Sequence, residues 1–265
     1  MDEDATPKYF DAHGHPHFSV YANDIDAMME RARAYGVWMN AVGTNLATSR
    51  DAVAFAERFG TGVFATIGIH PAHDDTGAEV FDAPAFEALG RESCVVAIGE
   101  CGLDYVQGDA QLKQQQEVLF RQHIDLSLRL GKPLMLHVRS VRGSDTAYFD
   151  ALSILAEYQN VAADFHFFSG SWNVAKKILD AGFYISFDGP ITFARDYDEV
   201  IKNAPLDLMM AETDCPYASP LPYRGKRNEP AYVSHVVDAI ARIRGVESED
   251  VRHALLASTR HFFGV

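Results

Sequence analysis

Several histidines in this chain stand where short apolar runs end, which is where a buried polar site would be built. His13 and His15 follow Tyr9-Phe10, His70 closes Phe64 to Ile69, His137 closes Leu134-Met135-Leu136 and His166 closes Ala162 to Phe165. Two carboxylates hold the same kind of place: Glu100 after Val95 to Gly99, and Asp214 after Leu208 to Thr213. On a strand the His-x-His spacing puts both imidazoles on one face, because side chains alternate with a period of two, so one ion can take both. His137 and His166 come from later runs and supply a second ion, with Glu100 placed to bridge and Asp214 to complete the first ion or hold its water. Ionisable groups ending so many apolar strands are costly unless they share ions or partners. The six residues His13, His15, Glu100, His137, His166 and Asp214 are therefore read as one metal site. Nitrogen and oxygen donors without thiolate suit Zn, Mn, Co, Ni or Fe, and Mg where carboxylate and water dominate. His17, His73, His123, His235, His253 and His261 are left out of the site, and His123 within a long helix and His253 and His261 near the C-terminus are assigned ordinary surface or capping roles.

The elements that must position these residues follow from periodicity. Strands are expected at Tyr9 to His13, Val37 to Gly43, Gly62 to Ile69, Val95 to Gly99, Pro133 to His137, Val161 to His166, Phe183 to Asp188 and Leu208 to Thr213. Helical segments fit between them: Asp24 to Tyr35, Arg50 to Phe59, Ala83 to Leu89, Gln111 to Leu130, Tyr148 to Tyr158, Trp172 to Ala181, Asp198 to Asn203 and Tyr232 to Ile243. Gly36, Gly60, Gly131 and Gly182 sit just past four of these, where a helix end favours a left-handed residue. Near-continuous apolar strands alternating with helices indicate a parallel sheet, and eight such units indicate an α/β fold of the (β/α)8 TIM-barrel type. The alternative, an open doubly wound sheet, lacks a G-x-G-x-x-G after the first strand. A barrel delivers every strand's C-terminal end to one rim, so residues from 13 to 214 converge. No linker, repeat or low-complexity tract divides the chain, so residues 1–265 are expected to form one domain with an acidic tail at 1–7. A last helix, Val251 to Phe263, is expected to close the barrel's bottom or side.

Composition narrows the partners. Of 265 residues, 23 are Lys or Arg and 37 are Asp or Glu, a formal net charge of −14. That excess discourages passive adhesion to nucleic acid or anionic lipid, so nucleic-acid chemistry would need a local positive site. A hydrophobic fraction of 48%, with 19 Gly and 11 Pro, is ordinary globular usage. No apolar stretch approaches the roughly 20 residues that span a bilayer, and the N-terminus lacks a signal's basic and apolar regions, which places the protein in the cytoplasm with no membrane partner. Cys94, Cys101 and Cys215 have no C-x-x-C spacing and lie in or beside apolar runs, as reduced packing residues do.

Taken in order, Asp11-Ala12-His13-Gly14-His15, Gly68-Ile69-His70-Pro71, Gly99-Glu100-Cys101-Gly102-Leu103-Asp104-Tyr105, His137-Val138-Arg139, His166-Phe167-Phe168-Ser169-Gly170-Ser171 and Glu212-Thr213-Asp214-Cys215-Pro216-Tyr217 followed by Arg224 to Pro230 resemble the TatD family of metal-dependent hydrolases. The resemblance runs from about Tyr9 to Val265. It implies an amidohydrolase-like TIM barrel, two divalent metal ions and deoxyribonuclease activity on DNA ends. It also makes the same six residues the metal ligands, makes His70 a substrate-touching residue, and matches Arg139 to the arginine after the fifth-strand histidine. Two departures stand out: Ala72 precedes His73 where the family commonly has His at once, and Ser258 stands where Asn is usual.

The chemistry expected is that of a metal-dependent phosphodiesterase, exonuclease-like, with DNA or a related phosphodiester as transient substrate and no obligate protein partner. Asp214 and Glu100 are the expected catalytic residues, with Asp214 orienting the water or taking its proton. Arg224, Lys226 and Arg227 form a short basic loop after the Asp214 strand, and with Arg139 and His70 they are the expected substrate-binding residues. Tyr217, Trp172 and Phe168 lie in the same rim loops, Phe168 favouring the core. Two rivals are hydrolysis of a small-molecule ester, amide or lactone, since fold does not fix substrate, and a metal-binding scaffold without turnover.

Overall fold

Every apolar run forms a strand and every periodic segment between them a helix, in a computed structural model that describes residues 7–72, 80–106 and 110–265. The strands are β1 (Tyr9–Gly14), β2 (Val37–Val42), β3 (Val63–Ile67), β4 (Val95–Asp104), β5 (Leu134–Arg139), β6 (Ala163–His166), β7 (Tyr184–Phe187) and β8 (Met209–Ala211). They lie side by side in chain order and all are parallel. The helices are α1 (Ile25–Ala34), α2 (Leu46–Phe59), α3 (Ala83–Gly90), α4 (Ala110–Leu130), α5 (Thr146–Leu155), α6 (Trp172–Asp180), α7 (Asp198–Asn203), α8 (Val233–Arg244) and α9 (Ser248–Phe263). Side chains such as Ile67, Phe86, Phe120, Leu136 and Phe165 fill the layer between strands and helices and are fully buried. Each contributes roughly 1.5–3 kcal/mol over leaving it in water.

The seam between β8 and β1 is closed by side chains as much as by backbone. Asp11 accepts the Thr213 backbone N–H at 2.7 Å and its hydroxyl at 2.6 Å, while the Asp214 N–H donates to the His13 carbonyl at 2.9 Å. The opposite end of the barrel is sealed by α9: Phe262 and Phe263 pack with Phe10, Val96, Met135, Tyr184 and Met210. The Phe10 and Phe263 rings sit 5.6 Å apart. The last helix thus closes the bottom, and it begins at Ser248, before the expected Val251.

The largest departures from expectation are in β4 and α2. β4 continues to Asp104 instead of stopping at Gly99, with its pairing to β5 shifted between Ile98 and Cys101. A bulge of this kind bends a strand and re-aims its side chains, and it uses Gly99 and Gly102 at positive φ, where a Cβ on Gly102 would lie 2.3 Å from the His137 carbonyl oxygen. α2 starts at Leu46, earlier than Arg50, because Asn45 and Thr48 cap it reciprocally. Of the expected acidic tail, residues 1–6 lie outside the described residues, and Pro7 is buried. No described helix is long and apolar enough to cross a membrane.

Candidate metal centre

Glu100 sits at the middle of the rim, its two carboxylate oxygens facing different imidazoles. Oε2 lies 3.5 Å from His13 Nε2 and 3.8 Å from His15 Nε2, whereas Oε1 lies 2.9 Å from His166 Nε2 and 3.0 Å from His137 Nδ1. The ladder brings His137 and His166 level, since their Cα atoms are direct partners on β5 and β6. His13 stacks flat on His166 with ring centres 3.8 Å apart, and its Nε2 is 3.4 Å from that of His15. Asp214 completes the ring, with Oδ1 3.7 Å from His13 Nε2 and 3.6 Å from His15 Nε2. Its φ of 53° is a left-handed conformation that persists only when its surroundings fix it. The N–H bond to His13 and the Tyr217 N–H donated to its carbonyl at 2.9 Å do so.

The second nitrogen of three of these rings is held from behind. His15 Nδ1–H donates to the Val42 carbonyl at 2.6 Å, His137 Nε2–H to Asp104 at 3.1 Å, and His166 Nδ1–H to Glu212 at 3.2 Å. Each bond fixes a tautomer and leaves the other nitrogen's lone pair turned inward, the arrangement that orients imidazole ligands. His13 Nδ1 is buried with no partner among the described residues. Three sets of donors come within 4.8 Å of one another: His13, His15 and Glu100; His70, Glu100 and His137; His13, His166 and Glu212.

Electrostatics follow from this packing. Burial alone would raise the Glu100 carboxyl, yet the surrounding imidazoles His70, His166 and His13 hold it well below the usual range. Burial likewise works to raise Asp214, and His15 and His13 bring it down. Behind the rings, Glu212 also accepts the Phe167 N–H at 2.8 Å and the Ser186 hydroxyl at 2.6 Å, and Ser186 reaches Asp164 at 2.8 Å. Asp164 and Asp188 are pushed well above the carboxyl range, first by burial and then by Glu212.

Of the residues expected from the sequence, all six proposed ligands converge. His70 joins them, Nε2 3.4 Å from Glu100 Oε1 and Nδ1 accepting the Ala72 N–H at 3.0 Å; burial lowers its pKa to about 3, so it is neutral. Arg139 lines a cavity of about 680 Å³ that opens over the ring, with Phe18, Phe167, Tyr197 and Tyr217. The basic loop does not reach that wall. Arg227 pairs with Asp24 at 2.6 Å and Glu229 at 3.0 Å over the Tyr21 ring, Arg224 lies over Phe193 at 4.1 Å, and Lys226 is exposed outside the cavity. Phe168 is core, Tyr217 is exposed at the mouth, and Trp172 packs against the core away from the cavity. His73 lies outside the described residues. His123 is neither surface nor cap: it is fully buried in α4, accepting the Ile69 N–H at 2.9 Å and donating to Leu119 at 2.8 Å. Asp104 and Glu212 had no role in the sequence reading. Their signal was position, for each stands within the same short motif as Glu100 or Asp214.

Comparison with known proteins identifies the family and the fold. Residues 10–264 match the family model described as TatD related DNase. A metal-dependent hydrolase of Bacillus subtilis, YabD, is 35% identical over 97% of this chain and 99% of its own. The 3'-5' ssDNA/RNA exonuclease TatD of Klebsiella pneumoniae is 34% identical over 93% of this chain and 94% of its own. The crystal structure of the TatD homologue YjjV of Escherichia coli superimposes with a TM-score of 0.86 at 27% identity, covering 97% of this chain and 98% of that one.

Proposed function

The chain belongs to the TatD family of metal-dependent hydrolases, and from that premise we propose that it is a single-domain, cytoplasmic, exonuclease-like phosphodiesterase acting on the ends of DNA or a related nucleic acid. The observation that carries this reading is Glu100, whose two oxygens face two separate pairs of imidazoles. Two divalent ions would find their ligands here, His13, His15 and Asp214 for one and His137 and His166 for the other, with Glu100 available to both. The donor set fits the ions, because His15, His137 and His166 each have one nitrogen tied back and one turned inward. When bound, ions of the Zn, Mn, Mg, Co, Ni or Fe class supply an acidified water and offset charge on the phosphoryl oxygens.

The chain's own residues do the rest. Asp214, ionised and facing the cavity, orients the attacking water and takes its proton. The water oxygen bonds to phosphorus as one P–O ester bond breaks, and a proton returns to the leaving alkoxide. Arg139 pairs with a phosphate oxygen, the charge-assisted bond for which a guanidinium is shaped. Neutral His70 hydrogen-bonds the phosphoryl group without competing for an ion. A small-molecule ester is the second reading, favoured by Arg139 being the one arginine among the described residues that line the cavity.

The test is hydrolysis of an end-labelled single-stranded oligonucleotide beside an aryl ester, using metal-stripped protein resupplied with Mg²⁺, Mn²⁺ or Zn²⁺, with Asp214→Asn as control. Metal-dependent stepwise shortening that is lost in the variant supports the proposal. Ester cleavage with an intact oligonucleotide moves the assignment to small-molecule hydrolysis.

A further inference from the structure

The cavity is well furnished for bases and poorly furnished for a backbone. Phe18, Phe167, Tyr197 and Tyr217 supply rings to its wall, and Phe18 stacks on His15 at 4.6 Å. Against these, Arg139 is the one lysine or arginine among the described residues that line it. Arg227, the residue best placed by sequence to extend a positive track, is instead paired with Asp24 and Glu229, and Arg224 lies over Phe193. The sequence of residues 73–79 and 107–109 contains no lysine or arginine, and the whole chain carries −14.

Proteins that follow a single strand over many nucleotides combine stacking rings with a positively charged groove along the backbone. Here the rings are present, and among the described residues that line the cavity Arg139 is the one lysine or arginine. The volume of about 680 Å³ falls in the range of about 300–1,000 Å³ occupied by small ligands, rather than that of an extended polymer track.

We infer that the site recognises only about the last two or three nucleotides of a strand, so that a single-stranded oligonucleotide of that length is already a complete substrate. This rests on the phosphodiesterase reading above. Arg139 holds one phosphate, the rings stack the terminal bases, and nucleotides farther along add no further contacts with the cavity. Long strands are then cut no better per end than short ones.

The experiment measures kcat/KM for unlabelled deoxyoligonucleotides from the dinucleotide to the eicosamer, with products resolved by chromatography and the series repeated across KCl concentrations. Wild-type protein is loaded with whichever of Mg²⁺, Mn²⁺ or Zn²⁺ gives the highest rate. The inference expects kcat/KM to level off by the trinucleotide and log(kcat/KM) to fall with log[KCl] at a slope of about −0.7, the value for one neutralised phosphate of a single strand. A rise of about tenfold or more between trinucleotide and eicosamer, with a slope of about −2 or steeper, overturns it and leaves the phosphodiesterase reading intact. No cleavage at any length, with an aryl ester hydrolysed, overturns that reading and the inference with it.

Discussion

His166 donates its Nδ1–H to Glu212 at 3.2 Å while its Nε2 faces Glu100 at 2.9 Å, so one imidazole joins a buried acid behind the site to the acid at its centre. Glu212 touches no solvent, yet its oxygens also serve Phe167 and Ser186, which makes it the hub that sets the ring's angle. Glu212→Ala is expected to weaken metal binding about 10–100-fold, the usual cost of losing such a partner, while the far-ultraviolet spectrum stays that of wild type. Metal titration of both proteins checks this; unchanged affinity would remove Glu212 from the site.

The arginines are expected to separate. Arg139→Ala loses a charged hydrogen bond to phosphate, worth about 1.5–3 kcal/mol, which is roughly 10- to 150-fold in KM with metal content unchanged. Arg227→Ala leaves the cavity alone and breaks the pairs to Asp24 and Glu229. It is expected to lower stability by about 1–2 kcal/mol with KM within about twofold of wild type. Steady-state kinetics beside a denaturant melt distinguishes the two, and a large KM effect of Arg227→Ala would return the basic loop to the substrate path.

Acid stability should carry the signature of His123. Burial lowers its pKa from 6.5 to about 4, and its Nε2 must stay unprotonated to accept the Ile69 N–H. The unfolded chain protonates this imidazole below about pH 6.5 and the folded one resists until about pH 4, so the unfolded state binds the extra proton in that window. Stability is therefore full above about pH 6.5 and is lost as pH falls toward 4, by roughly 3 kcal/mol from this group. His123→Gln should flatten the melting profile by about one proton over that range. A slope equal to that of wild type would contradict the assignment.

Much of this was legible in the sequence, for a physical reason. Parallel strands buried on both faces leave near-continuous apolar runs, so the eight strands can be placed from the sequence, and the six converging residues are among the polar residues that end those runs. What escaped depends on partners far along the chain. The direction of Arg227 is set by Asp24, 203 residues away, and no local pattern carries that. The burial of His123 comes from the backbone of Ile69, 54 residues before it, reaching onto a helix whose own pattern permits either face. β4 ran past its expected end because glycine reads as a stop, whereas Gly99 and Gly102 here let the backbone bulge and pass the His137 carbonyl.

The central claim, that Glu100 bridges two ions, is tested most directly by titrating Mn²⁺ into metal-stripped wild type and Glu100→Ala under electron paramagnetic resonance. Two ions about 3.5–4 Å apart through a carboxylate should bind per wild-type chain with a spin-coupled spectrum. Glu100→Ala should lose that coupled signal and the hydrolytic activity with it. A wild-type chain that binds one uncoupled ion, or a variant that keeps the coupled pair, would contradict the account.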